Sequence, residues 1–167
     1  MTKYLHHTFC HACGKPLNVP HDVFPKECHF CETVEYGGPD TVVAVMIPFQ
    51  GKLLKILRTH NPPGWALVSG FVDRGETWQQ AAVREVREEV GLTFSDSLVR
   101  LAGVETSLVR NKILIFCRID IPGDFVKMDS FRANREVADF DVYDGTEELV
   151  FPTHTKFARE YLSSQKP

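Results

Sequence analysis

Residues 70–92 read GFVDRGETWQQAAVREVREEVGL, and this stretch decides the fold. The pattern predicts a helix from Trp78 to about Val90. Thr77 is a good N-cap, and Gln80 three residues on completes a capping box. Gly91 is a natural C-terminal stop. Val83, Val86 and Val90 recur at helical spacing and supply the face expected to pack. At about 100° per residue, Glu85, Glu88 and Glu89 fall within an arc of roughly 100° on another face. Three clustered carboxylates repel one another, so a merely solvated arrangement is mildly unfavourable. Divalent cations turn that repulsion into attraction, and hard oxygen ligands suit Mg²⁺ or Mn²⁺. Taken alone, the run Arg84 to Glu89 with its Arg84–Glu88 pair also reads as an ordinary acidic helix surface. The glycine-bearing turn just upstream shifts the balance toward a site.

Turn and helix together resemble the Nudix box, G-x5-E-x7-R-E-U-x-E-E-x-G-U with U a bulky apolar residue. Gly70, Glu76, Arg84, Glu85, Val86, Glu88, Glu89, Gly91 and Leu92 fill every defined position. The likeness implies a Nudix α/β/α sandwich with a mixed sheet and a loop-helix-loop site. It also implies attack of water on a phosphorus of a nucleoside-diphosphate derivative. Carried over residue by residue, Glu85, Glu88 and Glu89 are the implied metal and base cluster, with the Gly70 carbonyl as a further metal ligand. Glu76 and Arg84 brace the loop against the helix. Which glutamate acts as base stays open. Glu136 stands where several Nudix enzymes carry an extra acid, and an ordinary loop glutamate fits that position as well.

Two departures bear on substrate. Many members read Leu-Pro-Gly-Gly at the turn, whereas this chain has Leu67-Val68-Ser69-Gly70. That wording is similar to zinc-ribbon Nudix proteins, including NADH pyrophosphatases. Those enzymes also carry a downstream S-Q-P-W-P-F-P-x-S block, and only its serine is matched here, within Thr106 to Lys112. The resemblance therefore implies ADP-ribose or FAD ahead of NADH, with nucleoside triphosphates and capped RNA as alternatives. A nucleotide-sensing or nucleic-acid-binding Nudix-fold protein without catalysis is the alternative of another class, and the complete box argues against it.

Outward from the box, Thr41 to Ile47 and Leu53 to Leu57 read as two strands joined by a turn at Gln50-Gly51. Asn61-Pro62-Pro63-Gly64 is a loop signal. Leu98 to Val104, Ile113 to Ile119 and Val137 to Tyr143 are expected strands, Ile121 to Arg135 a loop or insertion, and Pro152 to Leu162 a terminal helix. Glu147 and Glu148 are expected at that helix's start. Trp65 is a candidate for base stacking or packing, and Arg58 for phosphate contact or a solvated strand end. Phe49, His60 and Asn61 carry no specific signal beyond their place in candidate pocket loops.

Composition changes near Gly37-Gly38-Pro39. Four of the five cysteines and five of the seven histidines precede it. Cys10-His11-Ala12-Cys13 and Cys28-His29-Phe30-Cys31 are two CxxC pairs separated by 14 residues. Four thiolates suit tetrahedral Zn²⁺, and the segment is too small for a core of its own. His7, His11 and His29 could each replace a cysteine ligand but are read as loop residues, and Cys117, in the apolar run Ile113 to Cys117, as a buried thiol. The expected division is residues 1–37 as a zinc ribbon and 38–167 as a Nudix hydrolase domain. Lys3, Lys15 and Lys26 are offset by Asp22, Glu27, Glu32 and Glu35, so the ribbon is expected to serve docking or homodimerisation.

The 167 residues are 43% hydrophobic and 25% charged, with a formal net charge of -3, so a packed core is expected. A chain gripping nucleic-acid phosphates nonspecifically is usually basic, and nucleic acid is not an expected partner. No signal peptide or span of ~20 apolar residues is visible. A cytoplasmic location is expected, with a nucleoside-diphosphate-linked small molecule as substrate.

Overall fold

The computed structural model describes residues 8–20, 23–107, 111–121 and 133–165. His7 and most of the expected loop from Ile121 to Arg135 lie outside them. Two compact units divide between Pro39 and Asp40. In the first, β1 (Lys26–Glu27) and β2 (Val34–Glu35) pair antiparallel. Each CxxC pair turns tightly: Gly14 N donates to Cys10 O at 2.8 Å, and Glu32 N to Cys28 O at 2.8 Å. Gly14 (φ 69°) and Glu32 (φ 59°) occupy equivalent left-handed positions after each pair. Glycine does so without steric cost, whereas Glu32 does so against its Cβ.

The second unit contains β3 (Asp40–Met46), β4 (Pro48–Phe49), β5 (Lys52–Arg58), β6 (Gly64–Ala66), β7 (Val68–Phe71), α1 (Trp78–Val90), β8 (Val99–Ser107), β9 (Lys112–Ile119), β10 (Val137–Tyr143) and α2 (Pro152–Ser164). One sheet runs β7-β3-β9-β8. Its β3–β9 pair is parallel and its other pairs are antiparallel, so the sheet is mixed. In the other sheet β5 lies between β10 and β4, and β6 also pairs with β5.

The continuous apolar run of β3 reflects burial on both faces. Val43, Val45 and Ile47 join Val68, Ala82, Val86 and Val90 in one cluster with α1. Ala44 and Met46 join Phe116, Phe157 and Ala158 in a second cluster with α2. Helices thus cover the two faces, as in the expected α/β/α sandwich. Among the described residues no helix is long and apolar enough to cross a membrane.

The strand order corrects one reading. β3 and β5 flank the Gln50-Gly51 turn but are not paired with each other. The chain leaves the first sheet after Met46, and the hairpin partner of β5 is the two-residue β4. Gln50 (φ 47°) and Gly51 (φ 74°) form the positive-φ turn that two-residue hairpins favour. A second correction concerns Glu147 and Glu148. Helix α2 starts later, at Pro152, whose fixed φ suits a first helical position. Glu147 instead pairs with Lys55, and Glu148 with Arg159 at 2.7 Å.

Phe116 is fully buried and stacks on Phe157 with ring centroids 3.9 Å apart. Phe116→Ala is expected to cost about 3–5 kcal/mol, read as a lower denaturant midpoint with little change in slope.

Candidate active site

Helix α1 begins as its sequence dictates. Thr77 Oγ1 accepts from Gln80 N at 3.2 Å, and Gln80 Oε1 accepts from Thr77 N at 2.9 Å. Gly91 ends the helix in the left-handed conformation at φ 75°. The buried face is wider than its valines suggest. Ala81, Ala82, Val86 and Val90 are buried, Val83 is half-buried, and Glu85 and Glu89 are buried too, at 9% and 3% exposure. Glu88 is exposed. The three carboxylates therefore do not share a solvated face.

Strand β7 explains why. Its register with β3 pairs Ser69 with Ala44 and Gly70 with Val43, setting this backbone against α1. Ser69 N donates to Glu89 Oε2 at 3.2 Å. A Cβ on residue 70 would overlap the Glu85 carboxylate, so glycine is required here by space. The Gly70 φ lies outside the left-handed range.

Arg84 ties loop to helix. Its Nη2 donates to Glu76 Oε1 at 2.6 Å and to Phe71 O at 2.7 Å, its Nε to Glu76 Oε2 at 3.2 Å, and its Nη1 to Glu85 Oε1 at 2.6 Å and Glu88 Oε2 at 3.4 Å. Glu76 Oε1 also accepts from Asp73 N at 2.8 Å. The bond from Arg84 holds the Glu76 carboxyl below its ordinary range, and Glu76 in turn raises Arg84. Burial raises Glu85 against the opposing effect of Arg84. Burial, reinforced by the Glu85 charge, pushes Glu89 up to about 8 although the Ser69 bond opposes it.

As the side chains stand, Glu85 and Glu88 face Arg84 while Glu89 faces Ser69. Among the described residues, the group whose ligand atoms come close enough for one ion is Cys10, Cys13, Cys28 and Cys31, all within 4.8 Å of one another. Two of their sulfur pairs, Cys10–Cys31 and Cys13–Cys28, stand at 3.6 Å. Four sulfurs at ~2.3 Å from a tetrahedral zinc lie ~3.8 Å apart, so the spacing fits that ion. His11 and His29 are outside the group. His11 instead meets Glu35 Oε1 through its backbone N at 2.9 Å and its Nδ1 at 3.0 Å.

Glu136 sits just before β10 with its backbone fixed: its carbonyl accepts from Thr59 N at 3.0 Å. Arg58 does not end β5 in solvent. It is buried, meets His60 Nε2 at 2.7 Å and lies over the Phe151 ring at 5.2 Å. Burial, then Arg58, lower His60. Trp65 packs in the α2-side core with Lys55 4.7 Å above its ring. Phe49 is core, and Asn61 is exposed. Sequence reasoning missed two residues. His154 is buried, accepts at Nδ1 from Leu67 N at 3.2 Å, and is pushed down to about 3 by burial. Asn134 reaches the end of α1. Both act across long sequence separations that no local pattern marks.

A carboxyl raised by burial binds its proton more tightly in the folded chain than in the unfolded one. Between its ordinary range and about 8, folding then weakens as pH rises. In chelator-treated protein, melting temperature is expected to fall from pH 5 toward pH 8, and Glu89→Gln is expected to flatten that fall. Parallel slopes for both proteins would refute this assignment to Glu89.

Residues 38–161 match the family model described as NUDIX domain. An NAD-capped RNA hydrolase NudC of Vibrio atlanticus is 26% identical over 122 residues, covering 72% of this chain and 45% of that protein. Its namesake from Chromobacterium violaceum is 34% identical over 87 residues, covering 52% of this chain and 33% of that protein. The chain thus spans less than half the length of these curated relatives. Among solved structures, a NUDIX hydrolase from Nitrosomonas europaea aligns with TM-score 0.68 at 21% identity, covering 95% of this chain and 92% of that one. An ADP-ribose pyrophosphatase from Streptococcus suis aligns with TM-score 0.52 at 20% identity, over 77% and 93% of the two chains. At such identities the likeness is one of fold, but the family model spans most of the chain over the β7–α1 site, and the protein belongs to the Nudix family.

Proposed function

We propose that the chain hydrolyses a pyrophosphate link in a nucleoside-diphosphate derivative, a dinucleotide or ADP-sugar such as ADP-ribose or FAD. Residues 38–167 form the catalytic domain in this reading and residues 1–37 a structural zinc ribbon. The observation that carries it is the seating of Glu85 and Glu89 on the Ser69–Gly70 backbone with Glu88 exposed beside them. Burying two acids on a helix that carries a third weakens the fold unless something offsets their charge.

An all-oxygen donor set fits a hard divalent ion. Glu85, Glu88 and Glu89, with the Gly70 carbonyl, would hold Mg²⁺ or Mn²⁺. Such an ion, when bound, neutralises phosphate oxygens and acidifies water. Loading it competes with Arg84, which Glu85 and Glu88 face. Glu76 and Arg84 keep the turn fixed to the helix. A carboxylate of the cluster takes the proton from the attacking water. The work falls on soluble nucleotides in the cytoplasm, and the ribbon serves docking or homodimerisation.

A second reading takes its support from the relatives named NAD-capped RNA hydrolases. It favours NADH or NAD-capped RNA. Against it stands the segment Ser107 to Lys112, which lacks the block of NADH pyrophosphatases; its residues 108–110 lie outside the described ones. Because the box supplies only metal and water chemistry, discrimination comes from groups holding the far moiety, and kcat/KM is its measure.

With Mg²⁺ and a panel of ADP-ribose, FAD, NADH, nucleoside triphosphates and NAD-capped RNA, ADP-ribose or FAD is expected to give the highest kcat/KM. Glu88→Gln and Glu89→Gln are each expected to lower kcat by about 10²–10⁴-fold with the fold retained. Near-wild-type turnover of both at saturating Mg²⁺ would remove the site; NADH or capped RNA leading the panel would select the second reading. Separately, elemental analysis is expected to find about one zinc per chain, and none in carefully prepared protein would remove the ribbon assignment.

A further inference from the structure

Strand β8 is one edge of its sheet: β9 pairs with one side, and among the described residues no strand pairs with the other. Such an edge presents a row of backbone donors and acceptors to any strand that can lie alongside. Proline, lysine or an outward charge usually protects an edge, and β8 carries no proline and no lysine. Its two charged residues are turned along the sheet. Arg100 Nε meets Asp120 Oδ2 at 3.4 Å, and Lys156 Nζ on α2 donates to Glu105 Oε2 at 2.8 Å. Among the described residues of the second unit, the exposed large apolar side chains are Phe71, Leu101 and Val104. Two of them, Leu101 at 56% and Val104 at 55%, lie on this strand.

The register with β9 shows which way each residue faces. Leu101 lies opposite Cys117 and Val104 opposite Ile115, both on the α1 side of the sheet. Gly103 lies opposite Phe116 and makes room for the Phe157 ring, on the α2 side. Arg100, one step before Leu101, is on the α2 side as well, and so is Glu105, which meets Lys156. Alternation alone would set 101 and 104, or 100 and 105, on opposite faces. The pairing skips Ala102 between Leu101 and Gly103, and this extra residue brings each of those pairs onto one face. About Gly103 the strand is therefore symmetric in kind. Leu101 and Val104 flank it on one face, Arg100 and Glu105 on the other.

We infer that β8 receives a second copy of this chain, paired antiparallel with its own β8 about a two-fold axis through Gly103. A two-fold contact uses one patch twice, so the patch has to complement itself. In this register Leu101 of each copy lies opposite Val104 of the other, and Arg100 opposite Glu105. Apolar pairs and opposite charges set directly across two strands are stabilising. The charge pairing also extends ion pairs already present into a row of alternating sign: Asp120 and Arg100 of one copy, then Glu105 and Lys156 of the other. Moving the axis by one residue sets Arg100 opposite Gly103 or Ser107 instead, and the charges no longer meet. The inference does not depend on the chemistry proposed above. It places self-association on the second unit and leaves docking to the ribbon.

The test is sedimentation velocity on the full chain purified in the presence of zinc. A monomer–dimer equilibrium is expected within about 1–100 µM. Arg100→Glu and Glu105→Arg each set like charges opposite at two places, and each is expected to weaken the dimer at least about tenfold. An equimolar mixture of the two variants is expected to recover a mixed dimer within about threefold of the unaltered one, since one copy then carries two acids on that face and the other two bases. Val104→Lys, at an exposed position, is expected to leave a monomer throughout the range. It takes the place of the charge reversals if melting shows that either does not fold. A monomer at every concentration of the unaltered chain, a dimer that both reversals or Val104→Lys leave unchanged, or a mixture that stays monomeric each overturn the inference. So does a dimer that is lost on chelating zinc yet indifferent to Val104→Lys, which would lie in the ribbon.

Discussion

One guanidinium holds this site together. Arg84 is surrounded by Glu76, Glu85 and Glu88 and also reaches the carbonyl of Phe71. Without it, a turn ending in an acid would face a helix carrying three more, and their repulsion would favour parting. With it, the planar fork of donors meets carboxylates from both elements, and geometry is set as well as charge. The Ser69–Gly70 backbone is already fixed by pairing with β3. Arg84 therefore transmits the position of the sheet to the helix, and Glu85 and Glu89 are carried into register with that backbone.

What the sequence made legible follows the range of the interactions. The α1 boundaries were readable because capping is local: Thr77, Gln80 and Gly91 act within a turn of the residues they serve. The CxxC knuckles were readable for the same reason. The β3–β5 hairpin was misread because a turn signal names the turn and not the sheet. Gln50-Gly51 does reverse the chain, but only Pro48 and Phe49 pair across it. β6 and β7 were not read as strands, since three or four residues around Gly64 and Gly70 show no alternation. Of the two readings of Arg58, the solvated strand end fails, because the Phe151 ring, brought from far along the chain, lies beside its guanidinium and His60, two residues on, meets it.

The helix face shows the same limit. Helical spacing set Glu85, Glu88 and Glu89 within one arc of α1, but spacing carries no information on burial. Two of the three turned inward, where one sequence-local rule, that acids face solvent, gives way to a tertiary one. The space needed for the Glu85 carboxylate is made at Gly70. That glycine is readable in the motif, and its physical reason is visible only in three dimensions.

Buried acids with raised proton affinity weaken the metal-free fold at the pH where they are charged. A protein selected for stability alone would place leucine or glutamine at position 89 beside Val86 and Val90. The carboxylate there, bonded to the Ser69 amide and within the field of Glu85 and Arg58, marks a local conflict of the kind that collects at functional sites. Cys117 offers the contrast within the same core: burial likewise pushes its thiol up to about 12, but a neutral thiol is its ordinary state at that place and no conflict arises. The difference separates a residue that fills space from one whose charge has to be supplied with a partner.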